Sequence, residues 1–326
     1  MRGFLACLAV AGVVAPAGCG PAAPGSAATD TPRGTIGVSL LTLDNPFFKV
    51  IGDTIAAEGR KQGYATLLVS ADKDPARQGN QVKDFLVAKA AAIVLSPCDS
   101  KSIGPVIREA NAAGVPVFTV DIPCDEPGVV IATQVATDNL GGGREAGRAM
   151  IEMLGPAGGR VAVLHFKQAE SCRLRVQGFR EVVDGHNAAG GPQIEIVTEL
   201  ESGAAKDGGA KAMEDALQAF PDLRGVFAIN DPAALGARAA LEKAGKAGQI
   251  GIIGFDGQPE GKAAIREGKI FADPVQFPDK MGAEIVAAIV RYSRGETLPP
   301  KMLIPTSLYR QADAERDPTL VPESDR

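Results

Sequence analysis

Short, continuously apolar runs alternate with helix-like patterns from residue 35 onward. Two of them are AIVL at 92–95 and VFAI at 226–229. A strand exposed on one face alternates apolar and polar residues, so uninterrupted runs indicate strands covered on both faces by helices. The sequence predicts strands at residues 35–41, 65–70, 92–96, 115–120, 160–165, 194–198, 225–229, 250–255 and 270–273. This pattern is typical of an α/β protein with parallel sheets.

Capping residues followed by proline mark the starts of helices between these strands. Asn45 precedes a proline, and Phe47, Ile51 and Ile55 then recur on one helical face. A second helix opens in the same way at Asp231. Such a succession implies doubly wound sheets with right-handed crossovers. The strands suffice for one large sheet or two smaller ones, and we favour two similar lobes that divide near residues 137–138.

The N-terminus has the layout of a secretory signal peptide. Arg2 is followed by an apolar run from residue 4 to residue 14, which is too short to span a bilayer. The small pair at 17–18 before Cys19 resembles a bacterial lipobox, although Pro16 departs from it. We therefore predict a signal peptide at 1–18 with lipidation of Cys19, the alternative being ordinary cleavage that leaves a free thiol. Residues 19–33, rich in glycine, proline and serine, are predicted to be a flexible tether.

Composition excludes several classes of function. A formal net charge of −5 without a dense basic run argues against binding to nucleic acid. Two histidines and no CxxC spacing leave metal and redox sites unsupported, so no metal and no cofactor are predicted. The chain also lacks the GxSxG and HExxH motifs of hydrolases. The GGGREA segment at 141–146 formally matches a dinucleotide fingerprint, but no acidic residue follows the next strand to bind a ribose hydroxyl.

Polar side chains follow nearly every predicted strand. Ligands of open α/β sheets bind at the carboxyl ends of strands. The polar residues at these ends are Asn45, Asp99, Asp121, Arg173, Asn230, Asp256 and Gln276. This set combines carboxylate acceptors, a guanidinium donor and amides, which can both donate and accept, and such a combination suits neighbouring hydroxyl groups. Phe47 and Phe48 offer apolar surface for a sugar ring. Each also has a structural reading as a cap, a turn residue, a surface ion pair or a core residue.

Five motifs resemble the periplasmic ribose-binding protein family, the type I sugar-binding proteins of ABC importers. In order, they are LTLDNPFF at 41–48, ATDN at 136–139, VFAIND at 226–231, GFDG at 254–257 and QFPD at 276–279. The resemblance implies two Rossmann-like lobes joined by a three-segment hinge. It implies an N-terminal lobe of residues 34–137 plus 277–305 and a C-terminal lobe of residues 138–276 plus 306–326.

The resemblance also implies a function. The chain would be a monomer that binds a sugar or polyol between its lobes, presents it to an ABC transporter permease and meets the membrane only through its lipid anchor. It would not be an enzyme. The sugar contacts carried over by motif are Asn45, Phe47, Phe48, Asp121, Arg173, Asn230, Asp256 and Gln276.

Two departures from the ribose binders concern the pocket. Ile122 stands where they have arginine, and Ala204 falls by spacing where they have a stacking phenylalanine. We therefore expect ribose not to be the best ligand. Phe166 is a substitute for the ring, and Lys167, Glu170 and Asp99 are candidates for polar contacts.

The cysteines and the rival functions stay open at this stage. A disulfide between Cys98 and Cys124 is possible in an oxidising compartment, with Cys172 free, and the alternative is three free thiols. Three other functions remain: a sugar sensor that presents its ligand to a membrane receptor, the effector domain of a lactose-repressor-type regulator, and a secreted enzyme.

Overall fold

Two six-stranded sheets form the core of the part described by the structure, a computed structural model that covers residues 33–320 together with Met1 and Gly3. Most of the predicted signal peptide, Cys19 and most of the tether lie outside the described residues. The first sheet contains β1 (Thr35–Leu40), β2 (Ala65–Ser70), β3 (Ala92–Leu95), β4 (Val117–Val120), β5 (Gln134–Thr137) and β11 (Lys301–Ile304). The second contains β6 (Gly159–His165), β7 (Ile194–Glu201), β8 (Leu223–Ala228), β9 (Gly251–Ile253), β10 (Ala272–Val275) and β12 (Ser307–Arg310).

The sheets are built almost entirely from parallel pairs. The strand order is β11-β5-β4-β3-β1-β2 in the first sheet and β12-β10-β9-β8-β6-β7 in the second. The pair β10–β12 is antiparallel. We call the part that carries the first sheet the N-terminal lobe and the part that carries the second the C-terminal lobe. The chain passes between the sheets after β5, after β10 and after β11, and the exact lobe boundaries stay predictions.

Helices cover the faces of both sheets. They are α1 (Pro46–Lys61), α2 (Pro75–Val87), α3 (Gly104–Ala112), α4 (Asn139–Leu154), α5 (Glu170–Ala188), α6 (Lys206–Ala219), α7 (Asp231–Lys243), α8 (Pro259–Arg266), α9 (Pro278–Ser293) and α10 (Gln311–Ala314). Asn45 caps α1, with its side chain accepting from the Phe47 amide, and Asn230 caps α7 through the Ala233 amide. None of the helices among the described residues is long and apolar enough to cross a membrane.

Helix packing depends on glycine at one contact. A methyl group on Gly178 of α5 would collide with the Leu140 carbonyl of α4, and one on Gly143 of α4 would collide with the Arg175 carbonyl of α5. The two helices therefore approach backbone to backbone. This close approach fixes the position of the first half of α5, which begins at the carboxyl end of β6.

Three strands were not predicted from the sequence, and each omission has a physical reason. β11 and β12 are edge strands with several exposed or half-buried positions, so they lack a continuous apolar run. β5 is fully buried but has only four residues, and its ends are the polar Gln134 and Thr137. The nine predicted strands are present, with small differences in their bounds.

Candidate functional site

A cavity of about 540 Å³ lies at the carboxyl ends of the strands of both lobes. This volume lies within the range of small-molecule sites. Seven of the eight predicted ligand residues line it: Asn45, Phe47, Phe48, Asp121, Asn230, Asp256 and Gln276. The other lining residues of chemical interest are Lys73, Ile122, Phe166, Cys172, Arg175, Ala204 and Asp231.

The eighth residue, Arg173, does not line the cavity, and this part of the prediction needs correction. Its Nη2 atom lies 2.6 Å from Asp125 Oδ2, and its Nη1 donates to the Lys167 carbonyl at 2.9 Å. The cavity arginine is Arg175. Residues two apart on a helix point about 200° apart, so only one of the two arginines can face the cavity.

A sequence signal for Arg175 existed in the phase of its helix. The buried stripe of α5 passes through Cys172, Val176 and Phe179, and it widens on one side to Gly178, where α4 packs closely. Arg175 falls within this stripe, whereas Arg173 falls outside it.

Arg175 is the central cation of the cavity wall and is 3% exposed. Its Nε donates to Asn139 Oδ1 at 2.8 Å, and its Nη1 donates to the Ile229 carbonyl at 2.7 Å and to Asp256 Oδ1 at 3.0 Å. The guanidinium carbon lies 3.9 Å from the centroid of the Phe255 ring. Nη2 has no hydrogen bond to any described residue, so it is available to a ligand.

Asp256 is held by the two glutamines nearest to it. Gln276 Nε2 donates to Asp256 Oδ1, and Gln258 Nε2 donates to Oδ2 at 3.1 Å. Burial raises the pKa of Asp256, while Arg175 and these amides lower it. Thr137 at the end of β5 donates to Gln276 Oε1 at 2.7 Å, which links this cluster to the N-terminal lobe.

Asp121 presents a carboxylate that the protein leaves largely unpaired. It is 4% exposed, and its Oδ1 has no hydrogen-bond partner among the described residues. Burial raises the pKa of Asp121 to about 7, with Arg175 lowering it and Asp256 raising it. The residue also has a left-handed φ of 62°, which is unfavourable without glycine and is often found at functional sites. A ligand hydroxyl would satisfy this acceptor.

The two asparagines are caps and cavity residues at once. Asn45 Oδ1 accepts from the Phe47 amide at 3.0 Å, and Asn230 Oδ1 accepts from the Ala233 amide at 3.0 Å. Asn230 Nδ2 also donates to the Ala204 carbonyl at 3.1 Å. Both residues line the cavity, so their structural and functional readings are compatible.

Apolar surface in the cavity comes from three phenylalanines. Phe47 and Phe48 are both buried and meet edge to face, with centroids 5.2 Å apart. Phe166 lines the cavity from the C-terminal lobe. Ile122 and Ala204, the two departures from the ribose binders, also line it. The three alternative polar candidates, Lys167, Glu170 and Asp99, do not line it.

A buried pair of acids behind the cavity was missed by the sequence analysis. Asp231 lines the cavity wall, and its carboxylate accepts from the Gln258 amide at 2.6 Å. Asp273 of β10 is fully buried, and neither carboxylate oxygen of Asp273 has a hydrogen-bond partner in the described part of the chain. Burial raises the pKa of Asp231 well above its usual value and that of Asp273 to about 6. The two carboxyl groups interact, and we infer that they share a proton near neutral pH. Asp273 lies within a predicted strand, where nothing marks it as interacting with Asp231.

The structure describes the alternative that the sequence left open, in which the three cysteines are not bridged. Cys98, Cys124 and Cys172 are all free thiols. Cys98 packs in the core cluster that includes Phe47, whereas Cys124 packs against the cluster formed by α2, α3 and β3. The two thiols thus pack in different clusters. Burial raises the pKa of Cys98 to about 12 and that of Cys172 to about 11, so both stay protonated.

Neither a metal site nor a catalytic histidine is found at the cavity. The described residues contain no cluster of three or more side chains able to hold a metal ion. His165 is buried outside the cavity lining, and its Nδ1 accepts from the Phe166 amide at 2.8 Å. The walls therefore supply hydrogen bonds and apolar contacts, which is the chemistry of binding.

The chain is similar to known proteins over most of its length. Residues 36–297 match the periplasmic binding protein domain family. The ribose import binding protein of Bacillus subtilis is 34% identical over 278 residues, which cover 85% of this chain and 87% of that protein. A solute-binding protein of an ABC transporter from Mycobacterium smegmatis, solved with bound glycerol, is 32% identical with a TM-score of 0.80, covering 86% of this chain and 96% of that one. The myo-inositol binding protein of Caulobacter, solved with myo-inositol, is 26% identical with a TM-score of 0.80, covering 89% and 98%.

Proposed function

Because the chain belongs to the periplasmic binding protein domain family, we propose that it is the substrate-binding protein of an ABC importer for a sugar or polyol. Its relatives are named for ribose import or were solved with glycerol or myo-inositol. These ligands share small size, neutrality and several hydroxyl groups. The proposal assigns the same class of ligand to this chain.

The observation that carries the proposal is the mixture of donors and acceptors in one cavity. Asp121 and Asp256 offer acceptors, Arg175 offers Nη2 as a donor, and Asn45 has amide hydrogens that the N-cap bond does not use. Each sugar hydroxyl donates and accepts, so a set of this kind matches neighbouring hydroxyls. Phe47, Phe48 and Phe166 supply apolar surface for the C–H face of the ring.

The cavity walls favour an uncharged ligand. Arg175 is already paired with Asp256, and Asp121 adds a second carboxylate beside them. A carboxylate or phosphate on the ligand would therefore meet buried negative charge without a free buried cation to compensate it. Ile122 and Ala204 line the cavity with an apolar and a small side chain, where the ribose binders have an arginine and a phenylalanine. We therefore keep the prediction that ribose is not the best ligand.

Binding is proposed to close the two lobes on the ligand. The cavity takes walls from both lobes, so a ligand that contacts both favours their approach. The closed form is then what a permease recognises. Export by the signal peptide and anchoring through Cys19 are part of the same proposal, as is a monomeric state.

A thermal-shift screen of the purified chain tests the function. The panel contains pentoses, hexoses, polyols and cyclitols, with uronic acids and sugar phosphates as charged counterparts. A ligand at 100 times its dissociation constant stabilises the folded state by about 2.7 kcal/mol, which raises Tm by several degrees. At least one neutral member should give this shift and its charged counterpart should not. No shift across the whole neutral panel would refute the proposal.

A further inference from the structure

Two left-handed turns face each other across the mouth of the cavity. In the N-terminal lobe, Asp72 and Lys73 have φ of 51° and 61°; in the C-terminal lobe, Gly203 and Ala204 have φ of 59° and 51°. Lys73 Nζ donates to the Gly203 carbonyl at 3.0 Å, which joins the lobes directly. Non-glycine residues rarely take this conformation, and tandem pairs on both sides indicate that surrounding contacts enforce it.

Each turn is fixed within its own lobe. The Lys73 amide donates to the Leu41 carbonyl at 2.8 Å, and the next amide closes the turn on the Ala71 carbonyl at 3.0 Å. On the other side, the amide and hydroxyl of Ser202 both donate to the His165 carbonyl, at 2.8 and 2.9 Å. The separation of Lys73 and Gly203 therefore depends chiefly on the relative position of the lobes.

The turn of the C-terminal lobe is also connected to the ligand-binding wall. Ala204, next to Gly203, lines the cavity, and its carbonyl accepts from Asn230 Nδ2 at 3.1 Å. Lys73 lines the cavity as well. A bond from Lys73 to Gly203 thus holds the segment that positions Asn230.

We propose that Lys73 is a positioning residue that latches the closed lobes by binding the Gly203 carbonyl, and so sets the affinity for the ligand. The inference rests on the proposed function, since it describes how that same cavity retains its ligand. The two turns lie within hydrogen-bond distance in the described structure, and opening of the lobes would separate them. Each closed molecule gains a charge-assisted hydrogen bond that the open form lacks, which shifts the equilibrium between the forms.

The Lys73 ammonium forms no other hydrogen bond among the described residues that would compete with its bond to Gly203. Desolvation lowers the pKa of Lys73, and the carboxylate of Asp44 opposes this effect. Asp44 also lines the cavity, but no hydrogen bond joins it to Lys73 among the described residues. The ammonium therefore has its one observed hydrogen bond to the opposite lobe.

The experiment compares Lys73→Met with Lys89→Met. Methionine keeps the apolar stem and removes the charge and the donors. Lys89 is a matched control because it is also an exposed lysine with left-handed backbone, at φ 53°, and it does not line the cavity. The probes are D-ribose and myo-inositol, with dissociation constants measured by calorimetry and lobe opening measured by small-angle scattering without added probe.

Lys73→Met should raise the dissociation constant of the bound probe roughly tenfold. It should also increase the radius of gyration of the probe-free protein and lower its Tm only slightly, because a single exposed hydrogen bond is lost. Lys89→Met should match the wild type in all three. A changed affinity with unchanged scattering would make Lys73 a simple ligand contact and overturn the latch, as would equal affinities of the two variants. If the wild type binds neither probe, the scattering comparison alone decides the latch, and the proposed function is decided by the full neutral panel.

Discussion

Arg173 of the C-terminal lobe and Asp125 of the N-terminal lobe form an ion pair across the cleft, with Nη2 and Oδ2 separated by 2.6 Å. The two side chains are 38% and 23% exposed, so water screens the interaction. Nearby, the Glu170 amide donates to Ser100 Oγ at 3.3 Å, which adds a further contact between the lobes. Arg173 thus contacts the opposite lobe, while Arg175, two residues later, faces the cavity.

The two arginines should differ sharply when each is replaced by glutamine. Arg173→Gln removes a half-exposed ion pair worth about 0.2–1 kcal/mol, so affinity should change less than about fivefold. Arg175→Gln removes the buried partner of Asp256 and the donor that we propose for the ligand. It should abolish the ligand-induced Tm shift and lower the free energy of unfolding by about 3–5 kcal/mol.

A double variant separates folding from binding at Arg175. Arg175→Gln combined with Asp256→Asn removes both buried charges and should recover part of the lost stability without restoring the ligand shift. Calorimetry and urea unfolding measure the two effects. Loss of binding in Arg173→Gln but not in Arg175→Gln would reverse our assignment.

Ligand affinity should depend on the protonation of Asp121. Its pKa is about 7 because the carboxyl is buried, and Arg175 and Asp256 act on it in opposite directions. Ligand hydroxyls bind best to the carboxylate, so the affinity should fall roughly tenfold as pH drops from 8 to 6. Calorimetry across this range should show proton release on binding below pH 7.

Asp121→Asn is the control because it keeps the shape and removes the titration. Its affinity should be weaker at pH 8 and nearly independent of pH. The comparison with the wild type separates the effect of Asp121 protonation from that of Asp231 and Asp273, which also have raised pKa values. A wild-type affinity that stays constant from pH 6 to pH 8 would contradict this account.

The parts of the fold that sequence predicted are those set by local burial and capping. The run at 92–95 became the fully buried strand β3, and Asn45 and Asn230 cap the helices that follow them. The resemblance to the periplasmic ribose-binding proteins is confirmed by the family match and by solved structures with the same two-lobed fold.

The sequence did not predict the features that depend on contacts between distant segments. Choosing between Arg173 and Arg175 requires the rotation of α5 about its axis, which the packing of Gly178 against Leu140 decides. The pairing of Asp231 with Asp273 joins residues 42 positions apart on different elements. The sequence left the pairing of Cys98 with Cys124 open because chain order does not reveal that the two residues pack in different clusters.

Asp273→Asn should stabilise the protein above pH 6. The buried carboxyl has its pKa raised to about 6, so its favourable contribution is present below about pH 4 and is lost as pH rises through 6. At pH 8 the variant should gain about 1–3 kcal/mol in the free energy of unfolding, because a neutral amide replaces a buried carboxylate and can still hydrogen-bond to Asp231. Urea unfolding at pH 5 and pH 8 measures this. The exposed Asp184, replaced by asparagine, is the control for the loss of one carboxylate from the surface.

Cys19→Ser tests the lipid anchor. If the thiol is lipidated, wild-type protein should be in the membrane fraction, and the variant should lose this association because it has no thiol to modify. Fractionation with an antibody to the chain measures the distribution. Wild-type protein that is already fully soluble after export would refute the anchor and leave the binding function untouched.

Two glycines of α5 should respond in opposite ways to alanine. A methyl on Gly178 would collide with the Leu140 carbonyl and the Arg144 amide of α4, and backbone atoms cannot move aside cheaply. Gly178→Ala should therefore cost about 1–3 kcal/mol in the free energy of unfolding. Because Gly178 lies one turn after Arg175, the displaced helix should also weaken ligand binding.

Gly185 provides the matched control on the same helix. No atom lies within 4 Å of its added methyl, so Gly185→Ala should only remove backbone freedom from the unfolded chain. We expect it to raise the free energy of unfolding by about 0.5–1 kcal/mol with unchanged ligand affinity. Urea unfolding and calorimetry on both variants provide the measurement. If Gly178→Ala is as stable as Gly185→Ala, the close approach of α4 and α5 does not fix the position of Arg175, because the helices would then have room to separate without cost.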